Sequence, residues 1–203
     1  IIALERETGS IVWSRQLTEK DVYNGTCAAN PSACGPDFDF GGSPILTHLP
    51  DGRELLLAGQ KSGIVWALDP EKKGEVVWQT RVGVGGTNGG VQWGMATDGQ
   101  RVFATVSDVK RSPNTNPADP RRAMLDPKVG GGLTALRVAD GVKEWHVDAE
   151  PCPQGRPLGC SPSQPGAVTE IPGAVFTTSV DGHIRAHSTS DDRRVGSERR
   201  PSE

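Results

Sequence analysis

The stretch VWALDPEKKGEVVW, residues 65–78, decides the fold of this chain. It ends a strand with Ala-Leu, closes a turn with Gly74, and places Trp78 four residues after that glycine. The same order recurs in IALERETGSIVW at residues 2–13 and in LTALRVADGVKEW at residues 133–145. Glycine supplies the positive φ that a tight hairpin needs, and the large indole ring can fill the gap between adjacent sheets. The chain is therefore predicted to repeat one sheet-forming unit.

A second strand–turn–strand element precedes each later copy. It has the sequence LLLAGQKSGIVW at residues 55–66, begins as VFATVSD at residues 102–108, and recurs as VFTTSVDGHIRA at residues 175–186. Two successive hairpins make one four-stranded antiparallel blade, and Trp13, Trp78 and Trp145 follow one another at intervals of 65 and 67 residues. The pattern predicts an all-β fold, a partial β-propeller of about three to four blades over residues 1–190, in preference to a solenoid of sheets.

The fourth copy of the repeat decays. Asp192 lies where the turn glycine is expected, and Gly196 lies where the tryptophan is expected. Residues 191–203 are therefore predicted to be a degenerate polar tail, too charged to pair as a buried strand. Since propellers need at least four blades to close, we expect this chain to be a piece of a longer protein.

Composition excludes several classes of function. A net charge of -3 argues against nucleic acid as a partner, and the apolar runs fall far short of the roughly 20 residues that a membrane span needs. The four cysteines form two close pairs, Cys27 with Cys34 and Cys152 with Cys160, in loop-like segments without C-x-x-C spacing. We predict two local disulfides and an oxidising compartment, in preference to zinc or free thiols. The four histidines have no metal-ligand spacing and are interpreted as surface or turn residues: His48, His146, His183 and His187.

Together with the tryptophan repeat, two segments resemble the quinoprotein alcohol dehydrogenases, which depend on pyrroloquinoline quinone (PQQ). They are DFDFGGSPIL at residues 37–46 and GQKSGIVWALDP at residues 59–70. The two-cysteine loop before the first segment, and GGVQWG at residues 89–94, resemble the polyvinyl alcohol dehydrogenase branch. The resemblance implies an eight-bladed propeller in the periplasm, with PQQ near its axis and Ca²⁺ beside it. It also implies an alcohol substrate oxidised by hydride transfer to PQQ, with cytochrome c as the electron acceptor.

The resemblance also assigns candidate cofactor-binding residues. A lysine at the position of Lys61 hydrogen-bonds the quinone oxygens in the family, and a fixed cation there would stabilise developing negative charge; a solvated hairpin lysine is the alternative. Related enzymes have Asn where this chain has Gln92, so cofactor contact and core packing both stay open for Gln92 and Trp93. Asp37 and Asp39 are expected to shape an entrance loop. No catalytic residue and no metal ligand is assigned, and the Ca²⁺ ligands are expected outside the chain.

A non-enzymatic function is the main alternative. Scaffolds for outer-membrane assembly use the same tryptophan-repeat propeller without a cofactor and bind protein partners through their loops. Lys61, the DFDF segment and the cysteine loops favour the dehydrogenase, although we expect this chain to be inactive on its own. The insertion over residues 108–130 is predicted to be an active-site loop, a partner-facing loop or a disordered segment.

Overall fold

The computed structural model describes residues 1–27, 29, 34–114, 123–154 and 159–199, and every regular element in these ranges is a β-strand. The strands, in chain order, are β1 (Ile2–Leu4), β2 (Ile11–Ser14), β3 (Ile45–His48), β4 (Glu54–Gly59), β5 (Ile64–Asp69), β6 (Glu75–Arg81), β7 (Ala96–Thr97), β8 (Arg101–Val106), β9 (Arg111–Pro113), β10 (Ala123–Leu125), β11 (Gly132–Arg137), β12 (Lys143–Asp148), β13 (Thr169–Ile171), β14 (Ala174–Thr178), β15 (His183–Ser188) and β16 (Arg194–Arg199).

These strands form three complete four-stranded antiparallel sheets. Blade 1 has the order β3-β4-β5-β6, blade 2 has β7-β8-β11-β12, and blade 3 has β13-β14-β15-β16. Strands β1 and β2 form a half-blade before blade 1, and β9 pairs antiparallel with β10 within the insertion between β8 and β11. The predicted all-β fold of four-stranded blades is confirmed. Part of the predicted insertion, residues 115–122, lies outside the described residues.

The connections alternate between two faces of the molecule. Because each blade is an antiparallel meander, the loop between its second and third strands lies at the same end as the loop to the next blade. This end, here called the loop face, carries the described residues 15–27, 29, 34–44, 60–63, 82–95, 107–114, 123–131, 149–154, 159–168 and 179–182. Backbone hydrogen bonds join these loops to one another, for example from Lys61 N to Asp39 O at 3.0 Å and from Val180 N to Ser163 O at 2.9 Å. Tight turns occupy the opposite face.

Each repeat tryptophan lies against the turn of the following blade. A Cβ built on Gly74 would lie 2.8 Å from the Trp13 ring, and one built on Gly141 would lie 2.5 Å from the Trp78 ring. Both glycines have positive φ, near 70°. The Trp78 indole also donates a hydrogen bond to Val138 O at 2.9 Å. The glycine of the repeat therefore has two roles: it permits the turn, and it leaves space for the ring of the preceding blade.

The fourth repeat keeps the register without the tryptophan. Ala67 pairs with Trp78, Ala135 pairs with Trp145, and a bulge follows the alanine in both. Ala186 pairs with Gly196 at the same place in blade 3. Residues 194–199 of the predicted polar tail form β16, which pairs with β15. Every residue of β16 is exposed, so the strand pairs through its backbone without being buried. The division of the chain at residue 190 stays a prediction.

The core lies between the blades. Alternate residues of β8 point to opposite sides of blade 2, as the pleat of a strand requires. Val102, Ala104 and Val106 pack with apolar side chains of blade 1, while Phe103 packs with residues of blade 3, including Val175. The central strands of blades 1 and 2 are buried on both faces, which fixes the loops at their ends.

Candidate functional site

The Lys61 ammonium lies on the loop face between two carboxylates. Its Nζ is 2.7 Å from Asp39 Oδ2 and 3.4 Å from Asp37 Oδ2, and the lysine side chain is 16% exposed. Burial by itself would lower the pKa of the Lys61 ammonium. The hydrogen bonds and charges of Asp39 and Asp37 outweigh this effect and raise the pKa above its usual value. Lys61 is therefore a nearly buried cation that stays charged, not a solvated hairpin lysine.

A third carboxylate holds this acidic segment in place. Asp21 accepts backbone hydrogen bonds from Asp37 N at 3.0 Å and from Phe38 N at 2.6 Å. Asp37 has φ of 63°, in the left-handed region that few residues other than glycine adopt. The Asp21 contacts stabilise this conformation, and the conformation aims the Asp37 side chain at Lys61. Asp37 and Asp39 were predicted to shape an entrance loop, and this geometry agrees with that role. Both carboxylates are also ion-pair partners of Lys61.

Gln60 connects the loops around Lys61, and the sequence analysis did not single it out. Its side-chain amide donates to Thr18 Oγ1 and Phe38 O, and its Oε1 accepts from Ser62 Oγ and Trp66 Nε1, at 2.7–3.1 Å. The residue is buried. A buried amide with every group used is a rigid connector. The sequence feature that could have identified Gln60 is a single glutamine at the end of an apolar strand.

The structure brings the segment that contains Gln92 and Trp93 against the same turn. Val91 N donates to Gln60 O at 3.1 Å, and Gly41 contacts the Gln92 carbonyl so closely that a Cβ there would overlap it. Gln92 is buried, and its amide donates to Gly89 O at 2.8 Å. The Trp93 side chain, by contrast, is exposed, at 62% for the residue. Gln92 is thus packed inside the loop and Trp93 is exposed, and cofactor contact by either residue stays a prediction.

Asp108 shapes the loop from which Gln92 and Trp93 extend. Its carboxylate accepts three backbone hydrogen bonds, from Val84 N at 2.6 Å, from Gly85 N at 2.9 Å and from Gly90 N at 2.9 Å. Such a nest of backbone amides is an anion-binding concavity, filled here by a side chain from the next connection along the chain. No motif in the sequence identified Asp108.

These residues fit a quinone cofactor but not a metal ion. The Lys61 ammonium can donate a hydrogen bond to a quinone oxygen while it remains paired with Asp37 and Asp39. Among the described residues there is no group of three or more His, Cys, Asp or Glu that could hold a metal ion, so no residue here is assigned to Ca²⁺.

Both predicted disulfides are present. Cys27 is bonded to Cys34, and Cys152 is bonded to Cys160. The first disulfide lies in the segment before blade 1, and the second lies in the segment between blades 2 and 3. Within the described residues, no helix is long and apolar enough to cross a membrane.

Four-stranded blades with tryptophan docked on glycine, and an ordered polar cluster on one face, define a tryptophan-repeat β-propeller fold. The family model PQQ_2, described as "Outer membrane protein assembly factor BamB", matches residues 1–191, and the chain belongs to this family.

Two curated relatives resemble almost the whole chain. It is 43% identical over 196 residues to a polyvinylalcohol dehydrogenase of Pseudomonas sp, covering 94% of this chain and 28% of that protein. It is 35% identical over 199 residues to the polyvinylalcohol dehydrogenase of Sphingopyxis sp. (strain 113P3), covering 94% of this chain and 29% of that protein. The chain thus spans less than a third of the length of either relative. The resemblance predicted from the motifs is confirmed.

Solved structures support the propeller fold. A europium-containing methanol dehydrogenase superposes with a TM-score of 0.64 at 14% identity, covering 99% of this chain and 40% of that chain. The quinohemoprotein alcohol dehydrogenase ADHIIG from Pseudomonas putida HK5 gives a TM-score of 0.61 at 15% identity, covering 98% of this chain and 34% of that one. At these identities the likeness concerns the fold alone.

Proposed function

We propose that this chain forms consecutive blades of a PQQ-dependent alcohol dehydrogenase of the polyvinyl alcohol dehydrogenase type, which oxidises alcohols to carbonyl compounds. One observation carries the proposal: a nearly buried lysine ammonium, held by two carboxylates, lies on the loop face at the position where the resemblance expects a cofactor contact. The names and the identities of the two curated relatives support the same class of reaction.

Lys61 is proposed to bind and orient the quinone edge of the cofactor. PQQ, when bound, supplies the acceptor for the two electrons that leave the alcohol. Lys61 would donate hydrogen bonds to the quinone oxygens, because its ammonium stays charged and its position is fixed by Asp37 and Asp39. A preorganised cation in a site with little water stabilises developing negative charge more strongly than a solvated one.

Trp93 and Gln92 are proposed to complete this side of the cofactor site in different ways. The exposed Trp93 ring offers a flat apolar surface to a planar ligand on the loop face. Gln92 would act through the backbone, because its amide holds the loop at Gly89. The Ca²⁺ that the resemblance implies would be held by residues other than those described here.

The proposed compartment and electron acceptor follow from the same class. Two disulfides in loops suit an oxidising environment such as the periplasm. The electrons would pass from the cofactor to cytochrome c, as the resemblance implies.

The experiment is a titration of the chain with PQQ in the presence of Ca²⁺, followed by quenching of tryptophan fluorescence. We expect saturable binding that Lys61→Gln weakens by about tenfold or more, since a hydrogen bond from a charged donor contributes about 1.5–3 kcal/mol. The matched control is Lys72→Gln, an exposed lysine on a turn of the opposite face. Equal binding by all three proteins would refute the proposed role of Lys61, and absence of saturable binding would refute the proposal that these blades by themselves bind PQQ.

A second readout concerns activity. The chain is expected not to reduce a dye acceptor when supplied with PQQ, Ca²⁺ and a secondary alcohol, because the catalytic base is expected outside it. Robust dye reduction would contradict that expectation.

A scaffold for outer-membrane assembly is the second candidate, favoured by the description of the matching family. A scaffold does not require a fixed cation on the loop face. The scaffold hypothesis therefore predicts no PQQ binding and no effect of Lys61→Gln on ligand affinity. The same titration therefore separates the two functions.

A further inference from the structure

The chain contains two Asn-Gly pairs, and one of them lies in an exposed turn of the loop face. This turn begins at Asn24 and Gly25 and is closed by a hydrogen bond of 3.0 Å from Cys27 N to Asn24 O. Asn24, Gly25 and Thr26 are all exposed to solvent. Because glycine has no Cβ, its backbone nitrogen can approach the side chain of a preceding asparagine with little hindrance. The turn is therefore a candidate site of chemical modification.

The side-chain carbonyl of Asn24 is held by two donors. Its Oδ1 accepts hydrogen bonds from Thr26 N at 3.0 Å and from Thr26 Oγ1 at 2.7 Å. This Asx-turn arrangement folds the Asn24 side chain over the Gly25 peptide. Attack on a carbonyl carbon places negative charge on its oxygen, and fixed donors at that oxygen stabilise the charge. Thr26 thus activates Asn24 Cγ in the way that an oxyanion hole activates a substrate carbonyl.

The nucleophile at this turn is Gly25 N, which donates no hydrogen bond to any described residue. A Cβ built on Gly25 would meet nothing within 4 Å, and Gly25 does not have positive φ. Neither packing nor backbone conformation therefore requires glycine here. The second pair differs at the same atom, because Gly89 is buried and its N donates to Gly86 O at 2.9 Å. Asn88 is expected to react more slowly than Asn24, although both precede a glycine.

We propose that Asn24 is a site of spontaneous self-modification, which converts it to a mixture of aspartate and isoaspartate. The bond from Gly25 N to Asn24 Cγ forms and the bond from Cγ to Nδ2 breaks. Nδ2 leaves as ammonia, with the proton of the Gly25 amide. Water then opens the cyclic imide at one of its two carbonyl carbons. Opening at Cγ gives aspartate, and opening at the main-chain carbonyl gives isoaspartate, in which the backbone runs through the former side chain.

The reaction adds negative charge to the segment that presents Asp37 to Lys61. Asp21, just before the turn, accepts the hydrogen bond from Asp37 N at 3.0 Å. Either product places a new carboxylate in this segment, and isoaspartate also lengthens its backbone. The site does not depend on the proposed dehydrogenase function, since neither Lys61 nor a cofactor takes part in the reaction.

The test is incubation of the folded chain at mildly alkaline pH, followed by peptide mapping with mass spectrometry. Labelling with an isoaspartyl methyltransferase detects isoaspartate separately. We expect the amide-to-acid mass change to accumulate at least about threefold faster at Asn24 than at Asn88, because the hydrogen bond of Gly89 N must open before that nitrogen can attack. In urea, where both turns are unfolded, the two rates should converge.

Three variants separate the chemistry of the turn from its sequence. Gly25→Ala should slow conversion at Asn24 in the folded chain and in urea, because the new methyl hinders the nitrogen. Thr26→Val should slow it by about threefold or more in the folded chain alone, because the hydroxyl donor is lost, and Thr26→Ser should restore the rate. Conversion at Asn24 no faster than at Asn88 in the folded wild-type chain overturns the proposal. An unchanged rate in Thr26→Val overturns the activation by Thr26.

Discussion

Because Trp78 packs on Gly141 in the turn of the next blade, substitution of Gly141 by alanine should lower the stability of the fold more than the same change at other turn glycines. In Gly141→Ala the new methyl would meet Trp78 at 2.5 Å, well inside contact distance. The matched control is Gly52→Ala, in the β3–β4 turn of blade 1. Gly52 also has positive φ, 86° against 72° for Gly141, but a Cβ there meets nothing within 4 Å.

The two substitutions share one cost and differ in another. Both place alanine in the left-handed region, at about 1–2 kcal/mol. Only Gly141→Ala also overpacks an interface, which typically costs about 1–3 kcal/mol. For a chain of this size 1 kcal/mol shifts the melting temperature by roughly 2–4 °C, so Gly141→Ala should melt about 2–12 °C below Gly52→Ala.

The assay is thermal unfolding followed by circular dichroism, with Trp78→Leu added to each alanine variant. Because the smaller side chain leaves room for the methyl, Trp78→Leu and Gly141→Ala should couple, with a double-mutant cost below the sum of the single costs. Equal melting temperatures for the two alanine variants, or strictly additive costs, would refute docking of the ring on the turn.

Two further predictions concern Asp108 on the loop face and His187 in β15. Asp108→Asn keeps a residue that tolerates positive φ but removes the carboxylate from three backbone amides. It should therefore cost about 1.5–3 kcal/mol and speed hydrogen exchange at Gly90. The control Asp191→Asn affects only exposed contacts with Arg193 and should change stability by no more than about 0.5 kcal/mol. Unchanged Gly90 exchange in Asp108→Asn would contradict the role of Asp108. Burial, followed by the charges of Arg194 and Arg185, lowers the pKa of His187 in the folded chain. The histidine of the unfolded chain has a pKa of about 6.5, so below that pH the unfolded chain binds more protons than the folded chain. The free energy of unfolding should therefore fall as pH falls through that value. In His187→Phe, the free energy of unfolding measured with urea should depend less on pH in this range. An unchanged pH profile for His187→Phe would contradict this assignment.

The fold was predictable because its signal is local and repeated. Ala67, Gly74 and Trp78 lie within twelve residues of one another. The same order recurs twice, with one residue fewer before the glycine and the same pairing of alanine with tryptophan. What the spacing does not reveal is which blade the tryptophan contacts. It packs on the turn of the following blade, a contact between residues about sixty positions apart.

The candidate site was predictable only in part. Lys61 stood out through its motif, yet its partners Asp37 and Asp39 come from the loop that precedes blade 1. Side-chain contacts between separate loops leave no periodic pattern in a single sequence. His187 shows the same limit: it was interpreted as a surface or turn residue, but it lies in β15 and is buried. When polar residues occur on both faces of a strand, the sequence pattern does not show which of them faces the neighbouring blade.

The loop face owes its order to carboxylates that bind backbone amides. Asp21 fixes the segment that presents Asp37 to Lys61, and Asp108 fixes the glycine-rich loop that leads to Trp93. Neither acid belongs to the apolar core, so the blades can form without them. Substitutions at Asp21 or Asp108 should therefore move the residues proposed to meet a ligand while the sheets persist. Function in such a propeller can change through a few loop acids, because the blade interfaces, built from tryptophan and glycine, do not depend on them.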